Sequence, residues 1–185
     1  MSTVIGVCGY SGAGKSTFCR EMAVRFHLPV LATGEIVRRQ VAERGHPLTP
    51  ESIARVSDEI REETGRRFLR ILEPDLRRSF ESAPAVLLDC LREESDLLTV
   101  RELADRLVVV AIIATDEVRA TRTLGRGRPG DPAGQRELLS LHATEQRLGV
   151  PQLVAGADYV VHNEGDLGAF IACSAAVVEA ILEEG

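Results

Sequence analysis

Short apolar runs alternate with amphipathic stretches along this chain, and the alternation predicts strands and helices in turn. Continuous runs rich in valine, isoleucine and leucine indicate buried strands, and they occur at 4–8, 29–32, 85–89, 107–114 and 158–162. Helical patterns separate these runs, which is typical of a parallel sheet with helical crossovers. We therefore expect an α/β fold with a five-stranded parallel sheet and helices on both faces. The fourth run is the most apolar, so we expect it in the centre of the sheet.

Polar residues and prolines indicate where several helices begin or break. Thr33 is a candidate cap for the helix after the second run, and Thr49 with Pro50 should start another. Pro74 should interrupt the helical run at 66–82. Further helices are expected at 17–26, 135–148 and 167–182.

The connection after the first strand carries the pattern G-x-x-x-x-G-K-[ST] at 9–16. Its glycines let successive backbone N–H groups face an anion, and the helix that follows adds a partial positive charge. Lys15, the only lysine of the chain, should reach the β- and γ-phosphates of ATP, and the Ser16 hydroxyl should bind Mg²⁺. The residues expected at the ATP phosphates are Gly9, Ser11, Gly12, Ala13, Gly14, Lys15, Ser16 and Thr17.

Composition narrows the class of protein. The chain has 185 residues, 44% hydrophobic and 27% charged, which predicts one globular domain with a proper core. The net charge of −6 argues against a nucleic-acid or membrane-surface binder. Four cysteines without metal-ligand spacing are expected to be buried thiols. Because the first strand is needed for the loop, it is not interpreted as a signal peptide, and we expect a cytoplasmic protein.

An acidic residue and several arginines follow the predicted strands. Asp89 ends the third strand, where it could support Mg²⁺ or act on the acceptor, or could simply cap the next turn. Glu35, Arg38 and Arg39 follow the second strand, where a solvated surface helix is the alternative. Most of the arginines at 55–70 are expected to pair with nearby glutamates on a solvated face, and His27, His46 and His142 are not expected to bind metal.

The densest arginine cluster lies between 119 and 134, on a helix that leads into a glycine- and proline-containing segment. Arg122, Arg126 and Arg128 belong to this cluster. A mobile loop of this kind could close over a phosphoryl group and exclude water. An exposed flexible loop without such a role is the alternative.

Together these motifs resemble those of P-loop kinases in the adenylate kinase and dephospho-CoA kinase group. The stretch 33–38 resembles the T-G-[DE]-x-x-R acceptor motif, 88–92 resembles the D-G-x-x-R segment, and Arg122, Arg126 and Arg128 resemble the lid arginines. The stretch 157–167 is similar to the D-x-x-[IV]-x-N-x-G-x-L ending of dephospho-CoA kinases, whose loop packs on adenine. Overall the chain is most similar to an archaeal dephospho-CoA-kinase-like family.

The resemblance implies a three-layer α/β/α P-loop NTPase fold over 1–185, with acceptor-binding helices at about 34–82 and a lid at about 122–135. It also implies roles for individual residues. It places Asn163 and Gly165 at ATP, the pair Ser16 and Asp89 at Mg²⁺, and Lys15, Asp89 and the three lid arginines in catalysis. The implied acceptor-binding residues are Thr33, Gly34, Glu35, Arg38 and Arg92. Two departures are Cys90, where glycine is usual, and Glu35, which is offset from the aspartate of dephospho-CoA kinases.

The arginines help to choose between acceptors. A phosphate acceptor needs charge neutralisation rather than a base, and Arg38, Arg39 and Arg92 favour such an acceptor. An alcohol would benefit from a carboxylate such as Glu35 or Asp89. We therefore expect transfer from Mg-ATP to a nucleotide-like small molecule, with a nucleoside monophosphate first and dephospho-CoA second. An ATPase switch without acceptor is a further alternative, and the oligomeric state, monomer or homodimer, is left open.

Overall fold

The computed structural model describes residues 1–65, 67–89, 91–127 and 131–184. The predictions for Arg66, Cys90 and Arg128 therefore lie outside the described residues. Within the described ranges, no helix is long and apolar enough to cross a membrane.

Five parallel strands form one sheet in the order β2-β3-β1-β4-β5. Their bounds are β1 Thr3–Cys8, β2 Val30–Ala32, β3 Ala85–Asp89, β4 Arg106–Ile113 and β5 Tyr159–His162. Each lies within one residue of the predicted run at either end. The strands pair in parallel throughout, so their carboxyl ends, and the loops that follow them, meet at one edge of the sheet.

Helices cover both faces of this sheet. The first group comprises α1 Lys15–Phe26, α2 Thr33–Glu43, α3 Pro50–Glu63, a 3₁₀ turn at Phe68–Leu72 and α4 Glu73–Phe80. The second group comprises α5 Glu94–Leu103, α6 Asp116–Gly125, α7 Gln135–Leu148, α8 Val150–Ala155 and α9 Leu167–Glu183. The predicted helices are all present, whereas α5 and α8 were not predicted individually.

The core has two halves, one on each face of the sheet. Alternate residues of β1 point to opposite faces, as the period of two in a strand requires. Val4 packs in the half built with α2 to α5, and Ile5 packs in the half built with α1 and α9. The three-layer α/β/α P-loop NTPase fold is thereby confirmed.

Three local predictions need correction. Cys173, expected to be a buried thiol, is exposed. The centre of the sheet is β1 rather than β4, which lies between β1 and β5. Both strands have a neighbour on each side, so both are buried. The apolar run of β4 is longer because this strand has eight residues, not because it lies at the centre of the sheet. Thr33 does not cap α2: it is the first helical residue, and the preceding Ala32 holds the capping position without a side-chain hydrogen bond.

Two other boundary predictions are confirmed. The Oγ1 atom of Thr49 accepts a hydrogen bond of 3.2 Å from the Ser52 N–H, so Thr49 caps α3. Pro74 lies in the first turn of α4, directly after the 3₁₀ turn. Proline is tolerated there because the N–H that it lacks has no intrahelical acceptor.

Candidate functional site

The loop between β1 and α1 depends on glycine for its shape. Gly9, Gly12 and Gly14 have φ angles of 133°, 81° and 110°, in the region that side chains other than hydrogen disfavour. Space is also lacking: a Cβ at Gly9 would lie 2.2 Å from the Ile112 carbonyl oxygen, and one at Gly12 would lie 2.4 Å from the Arg119 carbonyl oxygen. The loop is therefore packed by backbone directly against β4 and α6.

Lys15 is bound by the loop that carries it. Its Nζ donates hydrogen bonds to the carbonyl oxygens of Gly9 (2.7 Å) and Tyr10 (2.9 Å). Its ammonium group is thereby held over the loop, on the side where the pattern predicts phosphates.

A cavity of about 380 Å³ opens beside this loop. Residues from two predicted sets meet there, namely the phosphate loop with the start of α1, and the lid arginines. The lining consists of Gly12, Gly14, Lys15, Ser16, Thr17, Arg122, Gly125 and Arg126. We refer to it as the donor cavity.

Asn163, predicted near ATP, contacts the phosphate loop itself. Its side-chain amide donates a hydrogen bond of 2.7 Å to the Ala13 carbonyl oxygen. The Arg122 Nη1 in turn donates to the Asn163 carbonyl oxygen at 2.9 Å. The loop after β5 is therefore tied to the phosphate loop and to α6, whereas Gly165 is exposed in the same loop and does not line the donor cavity.

A second cavity of about 180 Å³ lies between α2, α3 and the loop after β3. We refer to it as the acceptor cavity. Its polar lining comprises Ser11, Thr33, Gly34, Arg38, Ser57, Arg61, Arg92, Glu93, Asp96, Arg126 and Asp131, and its apolar lining comprises Val37, Ile53, Phe68, Pro132 and Leu141. Four of the five predicted acceptor-binding residues are present. The fifth, Glu35, is exposed and outside this lining.

Arg126 lines both cavities. Its Nε and Nη2 atoms each bind one carboxylate oxygen of Asp131, both at 2.7 Å. This bidentate pair fixes the guanidinium plane at the boundary between the two cavities.

Asp89 occupies the predicted strand end but lines neither cavity. It is buried, and its neighbours in the sheet are Val7 on β1 and Ala32 on β2. It therefore lies at the carboxyl edge, at the end of the strand next to the phosphate-loop strand. Its roles in metal binding and catalysis stay predictions.

Arg61 departs from the solvated, locally paired face expected for most of the arginines at 55–70. Its side chain is 20% exposed, its Nε donates to Glu93 at 2.7 Å, and its guanidinium lies 5.4 Å from the centre of the Phe68 ring. Its Nη1 also binds Asp58 at 3.1 Å. The principal partner is 32 residues away in sequence, so local pairing rules could not find it.

Asp96 is a buried carboxylate of the acceptor cavity that was not predicted. It is 3% exposed, and its Oδ2 accepts hydrogen bonds from the N–H groups of Arg92 (2.8 Å) and Glu93 (3.1 Å). Its Oδ1 is buried without a hydrogen-bond partner in the described part of the chain. Burial raises the pKa of this carboxyl group to about 6, against the lowering effect of the two backbone hydrogen bonds.

A second buried carboxylate, Glu145 of α7, binds the phosphate loop. It is 4% exposed, and its Oε1 accepts hydrogen bonds from the N–H and the hydroxyl of Ser11, at 2.8 and 2.7 Å. Beside it, the Arg119 guanidinium lies 4.5 Å from the Tyr10 ring centre, and the Tyr10 and His142 rings meet edge to face. The sequence could have indicated that Glu145 is buried. It follows Leu138 by seven residues, so both lie on the same face of α7, and Leu138 is buried.

The oxygen atoms available in the donor cavity fit magnesium that is bound together with a nucleotide. No group of three or more histidine, cysteine or acidic side chains that could hold a metal occurs in the described ranges. Mg²⁺ commonly binds through one or two protein oxygens, phosphate oxygens and water. The Ser16 hydroxyl in the donor cavity is suited to that role.

Comparisons with known proteins define the family. A family model described as an AAA domain matches residues 8–138. The chain is 34% identical over 167 residues to a UPF0200 protein of Hyperthermus butylicus, covering 90% of this chain and 88% of the relative. It is 32% identical to a UPF0200 protein of Aeropyrum pernix, covering 89% and 86%. The chain belongs to the AAA domain family and to the UPF0200 family. The predicted archaeal likeness is thereby supported, while the link to dephospho-CoA kinases stays a prediction.

Solved structures of small-molecule kinases share the fold. A gluconokinase from Sinorhizobium meliloti 1021 matches with a TM-score of 0.62 at 21% identity, over 99% of this chain and 94% of that chain. A shikimate kinase from Acinetobacter baumannii in complex with shikimate matches with a TM-score of 0.51 at 20% identity, over 99% and 93%. At these identities the likeness shows the fold of P-loop kinases.

Proposed function

We propose that this UPF0200 protein is a P-loop kinase that transfers the γ-phosphoryl group of Mg-ATP to a nucleotide-like small molecule, in the first place a nucleoside monophosphate. The observation that carries the proposal is the pair of cavities joined at Arg126, one beside the phosphate loop and one lined by further arginines. A kinase must hold two anionic reactants end to end, with positive charge between them. We also propose that 1–185 acts as one kinase domain with helices at 34–82 for the acceptor and a lid at 122–135.

On the donor side, the loop N–H groups and Lys15 would hold the ATP phosphates, and Arg122 would neutralise charge on the transferring group. Arg126 would do the same by exchanging its Asp131 carboxylate for phosphate oxygens. Lys15 would exchange its two carbonyl contacts for phosphate oxygens. Bound through Ser16, Mg²⁺ would neutralise the charge on the phosphate oxygens. Asp89 stays a candidate for support of the metal.

On the acceptor side, the start of α2 supports binding of an anionic group. No side chain caps this helix, so its first N–H groups are available to a ligand. A Cβ at Gly34 would lie 3.4 Å from Arg38 Nη1, which places the guanidinium over the same helix start. Backbone N–H groups and a guanidinium that meet at one point can together donate several hydrogen bonds to a phosphate group.

A second candidate is transfer to a hydroxyl group, with dephospho-CoA as the nucleotide-like acceptor. The observation in its favour is that carboxylates of Glu93, Asp96 and Asp131 line the acceptor cavity, since a carboxylate can accept a hydroxyl proton. The fold match to a gluconokinase and to a shikimate kinase that holds shikimate adds hydroxyl-bearing acids to the candidates. An ATPase without acceptor is the remaining alternative.

The test is ADP release from Mg-ATP in a coupled assay across a panel of acceptors. The panel contains ribo- and deoxynucleoside monophosphates, dephospho-CoA, gluconate and shikimate, with a lane that lacks acceptor and a parallel Lys15→Ala series. Stimulation by a monophosphate in a Lys15-dependent manner supports the first proposal. Stimulation by dephospho-CoA or a hydroxy acid alone supports the second, and equal Lys15-dependent turnover in every lane would leave an ATPase.

A further inference from the structure

We propose that the Arg61–Glu93 ion pair binds the base of the acceptor and selects guanine or cytosine. The inference rests on the proposed nucleoside monophosphate kinase activity and adds to it the identity of the base. The arginines in the acceptor cavity differ in whether a carboxylate binds them.

Arg61 is paired with two carboxylates. Its Nε binds Glu93 at 2.7 Å and its Nη1 binds Asp58 at 3.1 Å, so two carboxylates offset one guanidinium. In contrast, no carboxylate of the described residues pairs with Arg38. A phosphate is therefore better bound at Arg38 and the start of α2, whereas the neutralised pair suits an uncharged polar group.

The pair presents both hydrogen-bond donors and hydrogen-bond acceptors. Nη2 of Arg61 and one N–H of its Nη1 have no acceptor within the described ranges. Glu93 accepts from Arg61 on Oε1 and from the Ser95 hydroxyl on Oε2, and since a carboxylate has about four acceptor positions, further positions stay open. Because Arg61 and Glu93 bind each other, each fixes the direction in which the other presents its remaining hydrogen-bonding groups. A ligand that fits must therefore have acceptor atoms beside a donor group.

Guanine and cytosine have such edges. Arginine pairs with O6 and N7 of guanine, and an acidic side chain accepts from the amino group of cytosine. In cytosine the acceptors N3 and O2 adjoin that amino group, and in guanine O6 adjoins the N1–H and amino donors. A guanidinium fork needs two adjacent acceptors on the base, and the carboxylate needs a donor next to them. Adenine and uracil do not combine these groups on one edge.

The surroundings of the pair fit a flat, partly apolar ring. Val37, Ile53 and Phe68 line the same cavity, and the Phe68 ring stacks with the Arg61 guanidinium. Asp96 lies in the same lining with one buried oxygen that no described residue binds. Since this oxygen is enclosed, it would become a further acceptor for an amino group only where the base displaces the side chains that cover it.

The experiment compares GMP, CMP, AMP and UMP as acceptors for the wild type, Arg61→Ala, Glu93→Gln and the control Arg55→Ala. Arg55 is on the same helix, pairs with Glu59 and does not line the cavity. We expect GMP or CMP to be preferred by about tenfold or more, and Glu93→Gln and Arg61→Ala to raise KM for that nucleotide by a similar factor. KM for ATP should stay unchanged, as should all parameters of Arg55→Ala.

A preference for AMP or UMP, or an equal loss for all four nucleotides in Glu93→Gln, would overturn the inference. Calorimetric binding of GMP and CMP in the presence of a non-hydrolysable Mg-ATP analogue separates it from the proposed function. If no nucleotide is phosphorylated but GMP or CMP binds and Glu93→Gln loses that binding, the base site stands and the kinase activity does not. If neither nucleotide binds to the wild type, the inference is wrong whatever the panel of acceptors shows.

Discussion

The donor cavity and the acceptor cavity are built by different means. The donor cavity takes most of its lining from one contiguous stretch, the loop and the start of α1, and its shape is set by backbone conformation. The acceptor cavity collects side chains from α2, α3, the loop after β3 and the segment after α6. The Arg61–Glu93 ion pair, between residues 32 positions apart, joins α3 to the start of α5 in this cavity. A backbone site tolerates little change in the chain, whereas a side-chain site can alter its ligand by single substitutions.

The largest expected effect comes from the cation of the donor cavity. Lys15→Ala should lower ATP-dependent kcat by about 10²–10³-fold, because it removes a positive charge from the transferring phosphoryl group. The free energy of unfolding should change by about 1 kcal/mol or less, because the lysine is partly exposed and its partners are carbonyl groups of a loop. Turnover assays and denaturant unfolding check the two statements, and an unchanged kcat would remove Lys15 from the mechanism.

The next effect tests whether the donor site is fixed by backbone sterics. Gly9→Ala should destabilise the protein by about 3 kcal/mol, because the new Cβ meets the Ile112 carbonyl oxygen at a φ angle of 133°. Gly45→Ala is the matched control, since Gly45 also has a positive φ of 72° but open space around it. It should cost about 1 kcal/mol. Equal losses in urea unfolding would show that packing against β4 contributes nothing.

A smaller effect should appear in the pH dependence of the acceptor side. The raised pKa of Asp96, about 6 in the folded protein against 3.8 as its ordinary value, means that the folded state holds its proton more tightly. The stabilisation is therefore complete below pH 4 and is lost as the pH rises through 6. Unfolding free energies of the wild type should fall by about 2–3 kcal/mol relative to Asp96→Asn between pH 4 and pH 7. Parallel pH curves for the two proteins would contradict this.

The smallest expected effect concerns the contact between the loop and α7. The pair Ser11–Glu145 should show a coupling free energy of about 1 kcal/mol in a double-mutant cycle with Ser11→Ala and Glu145→Gln, because Ser11→Ala removes the hydrogen bond from the hydroxyl to the carboxylate and keeps the one from the backbone N–H. Urea unfolding of the four proteins gives this value. Additive single effects would mean that the hydrogen bond from the Ser11 hydroxyl contributes nothing to the contact between α7 and the loop.

The sequence predicted the parts of the molecule that depend on neighbours along the chain. The five strands and the phosphate loop follow from apolar runs and glycine spacing, and Thr33, Gly34, Arg38 and Arg92 lie together in the acceptor cavity as their motifs suggested. Glu35 did not join them, because α2 turns its side chain to solvent. A helix with Thr33 as its first residue fixes that direction.

The parts that were missed depend on contacts between distant residues. Arg61 has nearby glutamates in sequence, but it pairs with Glu93 at the start of α5. Ser11 and Glu145 are 134 residues apart. Local spacing cannot show which of several possible acids meets an arginine, because that choice depends on how α3 and α5 pack. The predicted roles of Asp89, Asn163 and Gly165 stay predictions.

The single lysine in the donor cavity also offers a site for selective chemical labelling. Since every other basic side chain at neutral pH is arginine or histidine, Lys15 is the one side-chain primary amine. Reagents that acylate amines can modify only this residue and the chain terminus. Mass spectrometry of such labelling therefore reports directly whether the phosphate loop is occupied, without any mutation or reporter group.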